Sequence, residues 1–464
     1  MPKSSHHTQE GENQQVQARE MQEEWKETVL PMLPEALASR AKELKAFERA
    51  RGLRSPADLL RGLLAYALCL SSFRQLGAWA ASLGMSGNGD RSWAKRMRQA
   101  RLWLLWLLQE VLVPHIEDES LRGREGVRVV LVDGSNLRSW HKQGDHCRLH
   151  VGYDLRERRL MQVVLTTQHT GESLSFFSVA KGDIVVADRG YCRRQAIWDA
   201  RQAGTELVIR LHWNNVPLQD EGGRLLDLSR WVQSLETGKG EQIVWMQLRK
   251  QRVRLRLVAL RLDAAAANRA QRRHERKLSQ NGSKQSHPWT KVLTDWLLVL
   301  TSLETAAWSA EDVLALYRAR WQIELLFKRI KQLVRIHRLH SSHLLTNEAT
   351  LAALLVGWAL VEQQAARLRT KADQNAGERE ALPANHLPEA EDGPWSSWQL
   401  AAVLVQSLRS MILGCWTWRQ IQQELHHLKH LLTSPQQDRV HQESAILQRL
   451  DAILAALPVG GSLG

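Results

Sequence analysis

The hydrophobic positions around residue 320 follow the period of an α-helix. In Ala315–Arg335, apolar residues recur every three or four positions, and neither Pro nor Gly interrupts the run. Ser309, followed three residues later by Asp312, is a typical helix start, because such side chains cap free backbone N–H groups. The pattern predicts one continuous helix with one buried face.

The edge of that apolar face carries a phenol, cations and an acid. On a helical projection Tyr317, Arg320, Glu324 and Lys331 fall within an arc of roughly 60°, and Arg335 lies on the same line. A solvated charged face beside a core stripe would look the same. The helix by itself therefore leaves both a surface role and a functional role open.

Short apolar runs between residues 127 and 211 have the length and composition of β-strands. The first run ends at Asp133-Gly134-Ser135, and a later one ends at Asp188-Arg189-Gly190. The two runs between them are joined by a short polar turn, which predicts an antiparallel meander. The predicted strands are Val127–Val132, Arg148–Asp154, Leu160–Thr167, Asp183–Ala187 and Glu206–Leu211.

The remaining chain divides by composition and period into helical and β-rich regions. Three short helices between Ser55 and Arg101, the third of them basic, fit either a helix-turn-helix DNA reader or a plain helical subdomain. The predicted division is a disordered tail (1–30), a helical N-terminal region (31–120), a core (121–211 and 304–345), a β-rich insertion (212–303) and a helical C-terminal region (346–464) with a linker (370–394).

Charge and cysteine usage limit the function classes. The 464 residues carry a formal net charge of +14, which points to a polyanionic partner such as nucleic acid or an anionic membrane. The four cysteines are far apart, which indicates a reducing, cytoplasmic setting. The longest apolar run, Ala349–Val361, is too short to span a membrane, and the polar N-terminus shows no signal peptide. No phosphate-binding loop motif is present, so we expect no ATP requirement.

Three carboxylates are candidates for a metal site. Asp133 and Asp188 each end a predicted strand close to a glycine, and Glu324 lies on the predicted helix. Any single strand-end aspartate is more often a turn residue. Together, in a strongly basic chain, they suggest carboxylate ligands for Mg²⁺ and phosphodiester chemistry at a pair of such ions.

The spacing Tyr-x2-Arg-x3-Glu-x6-Lys, met by Tyr317, Arg320, Glu324 and Lys331, resembles the signature of bacterial insertion-sequence transposases of family four. The blocks DGSNL, ADRGY and WLLVLTSL stand ahead of it in the family's order, and the helical start near residue 55 is also similar. The resemblance covers roughly residues 50–345. One departure is the serine after Gly134, where the family often has threonine.

The resemblance implies an α/β fold with an RNase H-like, retroviral-integrase-like catalytic core. It implies that Asp133, Asp188 and Glu324 are the catalytic, metal-binding triad, with Mg²⁺ as cofactor and Mn²⁺ as substitute. It also implies phosphate or DNA contacts by the five residues Tyr317, Arg320, Lys331, Arg189 and Trp296. Trp296 matches a tryptophan that stacks on a flipped base, although a tryptophan in a strand is more often a core residue.

The expected activity is cut-and-paste transposition at terminal inverted repeats of double-stranded DNA by a homodimer in the cytoplasm, on the nucleoid. Water would cut one strand and release a 3′-OH, which would then attack a second phosphodiester in a hairpin step or in strand transfer. The alternatives are a catalytically silent DNA-binding descendant, a structure-specific nuclease on the same fold, and a helical scaffold protein with a basic surface.

Other clusters are weaker candidates. Zinc ligation is not expected, because the spacing of His141, His146, Cys147 and His150 fits no standard zinc pattern. The three histidines at positions 337, 340 and 343 fit a polar helix end or phosphate contacts. A basic segment could follow a DNA backbone or be a solvated loop; its residues are Arg269, Arg272, Arg273, Arg276 and Lys277.

Overall fold

The computed structural model describes residues 25–50, 52–112, 127–137, 147–167, 169–280, 288–336, 339, 341, 343–380 and 396–414. These residues form a mixed α/β structure in which one nine-stranded sheet is covered by helices. The strands are β1 (Val129–Leu137), β2 (Cys147–Asp154), β3 (Arg159–Thr167), β4 (Ile184–Ala187), β5 (Glu206–Arg210), β6 (Leu218–Gln219), β7 (Lys239–Leu248), β8 (Gln251–Arg261) and β9 (Trp296–Thr301).

Thirteen α-helices accompany the sheet in the described part of the chain. They are α1 (Leu37–Glu43), α2 (Pro56–Leu68), α3 (Phe73–Ser82), α4 (Asp90–Gln99), α5 (Arg101–Leu112), α6 (Arg194–Gln202), α7 (Leu228–Gln233), α8 (Ala264–Gln280), α9 (Pro288–Thr294), α10 (Ala310–Ala319), α11 (Trp321–Leu333), α12 (Leu344–Glu380) and α13 (Ser397–Leu413).

The strand order is β3-β2-β1-β4-β5-β9-β8-β7-β6. Strand β1 runs parallel to β4, and β4 runs parallel to β5, whereas every other neighbouring pair is antiparallel. The predicted meander of the first three strands is confirmed. Strands β7 and β8 form a long hairpin, and β9 joins it to β5.

Both faces of the sheet are buried, because alternate residues of each strand enter different apolar clusters. Val129 and Leu131 of β1 belong to the cluster that includes α2, α5, α10, α11, α12 and α13. Val130 and Val132 belong to the opposite cluster, which includes α6, β7 and β8. The sheet is therefore a rigid support for whatever its strand ends carry.

Side chains join the helical regions to one another and to the sheet. Arg61 of α2 donates from Nε to the carbonyl oxygen of Ile412 in α13 at 2.8 Å. Gln109 of α5 donates to the carbonyl oxygen of Val163 in β3 at 3.0 Å. The N-terminal and C-terminal helices thus pack together on the same side of the sheet.

The structure corrects several predicted boundaries. The predicted helix over 315–335 is two helices, α10 and α11, which meet at Arg320. Strand β1 does not end at Asp133 but continues to Leu137. The segment predicted to be a disordered tail is ordered from Trp25, which is buried in a helical turn, while residues 1–24 lie outside the described residues.

Further corrections concern helices. Helix α12 extends to Glu380, so the first part of the predicted linker is helical, and residues 381–394 lie outside the described residues. The basic segment is not a loop but helix α8, and the predicted third N-terminal helix ends at Gln99, before Arg101 begins α5. The segment predicted to be a β-rich insertion contains α7, α8 and α9 as well as strands.

Helix α12 also changes the membrane argument. Its Leu344–Leu368 part is 25 residues long with a mean hydropathy of 1.6, which is long and apolar enough to cross a membrane by composition. However, 83% of this apolar stretch is buried inside the protein, as in the core helix of a globular domain. Gly357 explains one close packing point, because a Cβ there would lie 2.7 Å from Leu68 Cδ1 of α2.

Candidate active site

The parallel pairing of β1 with β4 brings two aspartates to neighbouring positions. The last paired residues are Val132 and Ala187, and Asp133 and Asp188 each follow directly. Side chains alternate along a strand, so Asp133 faces the same side as Leu131, toward α10 and α11. The sequence identified both strands and both acids, but their register is visible only in the structure.

The junction of α10 and α11 faces these aspartates. The backbone N–H of Arg320 donates to the carbonyl oxygen of Tyr317, three residues earlier, at 3.2 Å, so the turn between the helices is tighter than an α-helical one. The capping box formed by Ser309 and Asp312 fixes the start of α10. Both helix segments thereby present polar side chains to the same strand ends.

Hydrogen bonds and ion pairs connect all three predicted acids to this junction. The hydroxyl of Tyr317 donates to Asp188 Oδ1 at 3.1 Å. The Arg320 guanidinium lies between the other two carboxylates, with Nη1 3.5 Å from Asp133 Oδ2 and Nη2 2.5 Å from Glu324 Oε1. The structure therefore links the three acids to the same helix junction through one phenol and one guanidinium.

Lys331 extends the same polar face by two turns. Its Nζ donates to Ser135 Oγ at 2.6 Å, two residues after Asp133 on β1. Burial lowers the pKa of Lys331, and the negative charge of Asp133 partly opposes that effect. Tyr317, Arg320, Glu324 and Lys331 thus lie along one edge of the two helices, as their spacing predicts.

The two aspartates are electrostatically different. Burial raises the pKa of Asp133 to about 6, although the Gly134 N–H and Arg320 oppose that change. Burial acts in the same direction on Asp188, but Arg320 and the Arg189 backbone N–H outweigh it, so the pKa of Asp188 is lowered. Burial raises the pKa of Tyr317 to about 12, which keeps its hydroxyl a proton donor toward Asp188. Perturbed carboxylates in one cluster are typical of functional sites.

The other two predicted DNA contacts have different surroundings. Arg189 follows Asp188 directly, and its guanidinium carbon lies 4.1 Å from the ring centre of Trp213, a cation–π contact. Trp296 begins β9 opposite Arg261 and is only 6% exposed, within the second apolar cluster. None of the contacts observed in the described chain joins Trp296 to the three acids.

Sequence reasoning missed three residues close to the acids. Arg210 ends β5, the third parallel strand, and its charge acts on both Asp188 and Tyr317. The strand-end rule that identified the aspartates could have identified it. Glu172 and Arg148 form an ion pair near both aspartates. No local sequence pattern marks them, because Glu172 lies in a connection.

The donor set fits a hard divalent cation, since it consists of carboxylate oxygens. Within the described ranges, however, no group of three or more His, Cys, Asp or Glu side chains is close enough to hold a metal ion. Arg320, between Asp133 and Glu324, supplies the positive charge there. Metal binding at these acids would therefore require the guanidinium to move.

Two of the histidine candidates for other sites lie in the described part of the chain, and neither belongs to a group of metal-binding side chains there. His150 is fully buried in β2, with Nε2 2.9 Å from Thr166 Oγ1. His141 and His146 lie outside the described residues, as do His337 and His340. His343 is exposed just before α12.

Comparison with known proteins decides the family. Residues 125–360 match the family model of the transposase DDE domain. The chain is 30% identical over 340 residues to the putative transposase InsL of insertion sequence element IS186A from Escherichia coli K12, and this covers 71% of the chain and 90% of the relative. The chain belongs to the insertion-sequence DDE transposase family.

A second relative supports the same assignment. The transposase of insertion sequence element IS421 from Escherichia coli is 30% identical over 341 residues, with the same coverage of both chains. The matched domain comprises β1 to β9, α6 to α11 and the first part of α12. The predicted resemblance is confirmed, and the family implies a DNA-processing enzyme with a divalent-metal requirement.

Proposed function

We propose that this transposase excises and inserts its element by metal-dependent cleavage and strand transfer at terminal inverted repeats. The observation that carries the proposal is the meeting of Asp133, Asp188 and Glu324 on the Tyr317–Arg320 junction. A surface ion-pair network alone would not place two of its acids at neighbouring positions directly after the last paired residues of β1 and β4.

The proposed core is RNase H-like and comprises residues 121–211 and 304–345. The partial order β3-β2-β1-β4-β5, with an antiparallel meander followed by two parallel strands, supports that assignment. In this division residues 212–303 are an insertion that continues the sheet through β9, β8, β7 and β6. The helices on either side would be the DNA-binding N-terminal region and the C-terminal region.

Asp133, Asp188 and Glu324 would hold the divalent cation, with Mg²⁺ as the natural ion and Mn²⁺ as a substitute. When bound, it supplies Lewis acidity and lowers the pKa of water, which suits attack on a phosphodiester at neutral pH. The protein residues would position the DNA. Lys331 and Arg320 would bind phosphate oxygens, and Tyr317 would keep Asp188 oriented through its hydrogen bond.

In the first step, the oxygen of water forms a bond to the phosphorus at the element's end. The bond from phosphorus to the 3′ oxygen breaks, which leaves a 3′-OH on the element and a 5′-phosphate on the flanking strand. In the second step the oxygen of that 3′-OH forms a bond to the phosphorus of another phosphodiester, either across the duplex as a hairpin or in the target. The bond from that phosphorus to its own 3′ oxygen breaks, and this oxygen takes up the proton and leaves as a new 3′-OH. Both steps are in-line displacements at phosphorus, which one site can perform in turn.

DNA would be bound over several basic surfaces by a homodimer that holds both ends. Helix α4 carries exposed Arg91 and Lys95, and helix α8 carries exposed cations that would follow the phosphate backbone. Trp296 would stack on a flipped base only if its ring, now 6% exposed, became uncovered. The exposed basic residues of α8 are Arg269, Arg272, Arg273 and Arg276.

The test uses the full chain and a labelled duplex that carries the element's end and flanking DNA. With Mg²⁺ or Mn²⁺ we expect a nick at the end, and with target DNA we expect joined products; EDTA should abolish both. Glu324→Gln and Asp133→Asn should bind the end DNA but not cut it. DNA binding without any cutting by the wild-type protein would favour a silent descendant, and cutting without joining would favour a nuclease.

A further inference from the structure

Strand pairing does not fix the position of Asp188 relative to Asp133. The β1–β4 ladder ends at Val132 and Ala187, after which β1 continues only with β2 and the chain after β4 enters a short 3₁₀ turn. Tyr317 anchors Asp188 from the helical side of the sheet. A contact from the opposite side would hold the turn against β1.

Glu172, from the connection between β3 and β4, makes that contact. A Cβ built on Gly190 would overlap its carboxylate, with Cδ 2.6 Å away, so the carboxylate lies directly over the Gly190 α-carbon. A Cβ on Gly134 would lie 3.5 Å from Glu172 Oε1. Gly190 therefore leaves room for this carboxylate, which also lies within van der Waals distance of the Cβ position of Gly134 on β1.

Arg148 of β2 fixes this carboxylate in place. It forms an ion pair with Glu172, and its Nε would be 3.1 Å from a Cβ on Gly134. The side chains of Glu172 and Arg148 are 18% and 20% exposed. The pair lies on the face opposite Asp133, because Gly134 is paired with His150 and neighbouring residues of β1 alternate in direction.

We propose that Glu172 is a positioning residue that holds the Asp188 turn against β1 and so sets the spacing of the two catalytic aspartates. This inference rests on the proposed function, because it concerns how the acids bind their metal. Residues behind metal ligands affect affinity through orientation, and their loss typically costs about 10- to 100-fold in affinity or activity.

Two readouts test the proposal: Mn²⁺ binding to the DNA-free protein by calorimetry, and cleavage of end DNA at saturating DNA. We expect Glu172→Ala to weaken Mn²⁺ binding and to slow cleavage, each by about tenfold or more. Glu172→Gln keeps the shape and the acceptor for Arg148, so it should stay within about threefold of the wild type. A loss in Glu172→Gln as large as that in Glu172→Ala would overturn a positional role.

Gly190→Ala provides a second, independent test of the role of Glu172. The backbone of Gly190 is not left-handed, so alanine causes no strain except its overlap with Glu172. We expect Gly190→Ala to weaken Mn²⁺ binding like Glu172→Ala, and the double variant to be no worse than Glu172→Ala alone. Full additivity of the two effects would overturn the proposal, as would wild-type Mn²⁺ affinity in Gly190→Ala. The Mn²⁺ affinity of Gly190→Ala still tests the role of Glu172 if Glu172→Ala does not fold.

Glu206→Ala is the matched control. Glu206 forms an ion pair with Arg201 at 2.6 Å and is 4% exposed, but it starts β5, at the far end of the strand from the site. The Glu206→Ala variant should have a lower unfolding temperature than the wild type but the same Mn²⁺ affinity.

A wild-type protein that neither binds Mn²⁺ nor cuts end DNA would refute the proposed function itself. Wild-type behaviour of Glu172→Ala would refute only the role of Glu172.

Discussion

Nη1 of Arg320 lies 3.5 Å from Oδ2 of Asp133, and the same guanidinium donates to Glu324. The arginine thus offsets the repulsion of the acids in the absence of a metal ion. Burial lowers the pKa of Arg320, but Tyr317, Asp188 and Glu324 together outweigh that effect, so the pKa is raised. The same side chain must turn toward DNA phosphate if the carboxylates are to share a cation.

Arg320 compensates the charge of the carboxylates and is proposed to bind a DNA phosphate. Its removal should therefore increase the stabilisation by Mn²⁺ but slow DNA cleavage. Arg320→Gln should lower the unfolding temperature in EDTA by several degrees, because the carboxylates lose their counter-charge, and Mn²⁺ should restore more stability than in the wild type. Cleavage should fall by about 100-fold, since a phosphate ligand is lost. Thermal unfolding with and without Mn²⁺, and single-turnover cleavage, measure these effects.

The control for that variant is Arg318→Gln. Arg318 lies on the exposed side of α10 and has an equal charge. It should leave the Mn²⁺-dependent stabilisation unchanged. If Arg320→Gln and Arg318→Gln respond equally to Mn²⁺, the guanidinium does not compete with metal at the carboxylates.

Tyr317→Phe removes only the hydroxyl that donates to Asp188 at 3.1 Å. We expect cleavage to slow by about tenfold, because one net hydrogen bond to a charged group is worth roughly 1.5–3 kcal/mol and orients this carboxylate. Affinity for end DNA, measured by a gel-shift titration, should change less than twofold. A selective loss of DNA affinity would instead make the phenol a phosphate ligand.

Lys331→Met should act mainly on DNA binding. Its ammonium group is held beside the aspartates by Ser135, where a phosphate of the scissile strand would lie. Removing one phosphate contact should lower the slope of log affinity against log salt by about one unit. Lys328→Met is the matched control, since Lys328 is exposed on the same helix, near Trp398. Equal slopes for the two variants would contradict the role of Lys331.

The sequence was sufficient to predict the three acids, because Asp133 and Asp188 follow short apolar runs and Glu324 lies on the polar edge of an amphipathic helix. It could not show the two-helix junction, because one tightened turn at Arg320 does not disturb the apolar period of Ala315–Arg335. The predicted one-helix projection nevertheless grouped the polar residues correctly. Helical backbone angles continue through Arg320, so the face is kept.

Long-range partners were beyond sequence reasoning. The sequence shows a glycine near each aspartate, but not that the group over Gly190 is the Glu172 carboxylate, held by an arginine 24 residues away in the chain. Such a pair forms only once the β2–β3 hairpin and β4 are assembled. Local period and composition carry no information about it.

His150 predicts an acid-sensitive stability. It is fully buried, and burial, with a smaller effect from Arg148, lowers its pKa to about 4, below the value of about 6.5 expected in the unfolded chain. Between these two pKa values the unfolded state binds more protons than the folded state, so stability is lost as pH falls from about 6.5 toward 4.

In EDTA, the unfolding temperature of the wild type should fall between pH 7 and pH 5 by a few degrees more than that of His150→Gln. His343→Gln, at an exposed position, should follow the wild type. Parallel pH profiles for the wild type and His150→Gln would show that His150 is charged in the folded protein as readily as in the unfolded chain.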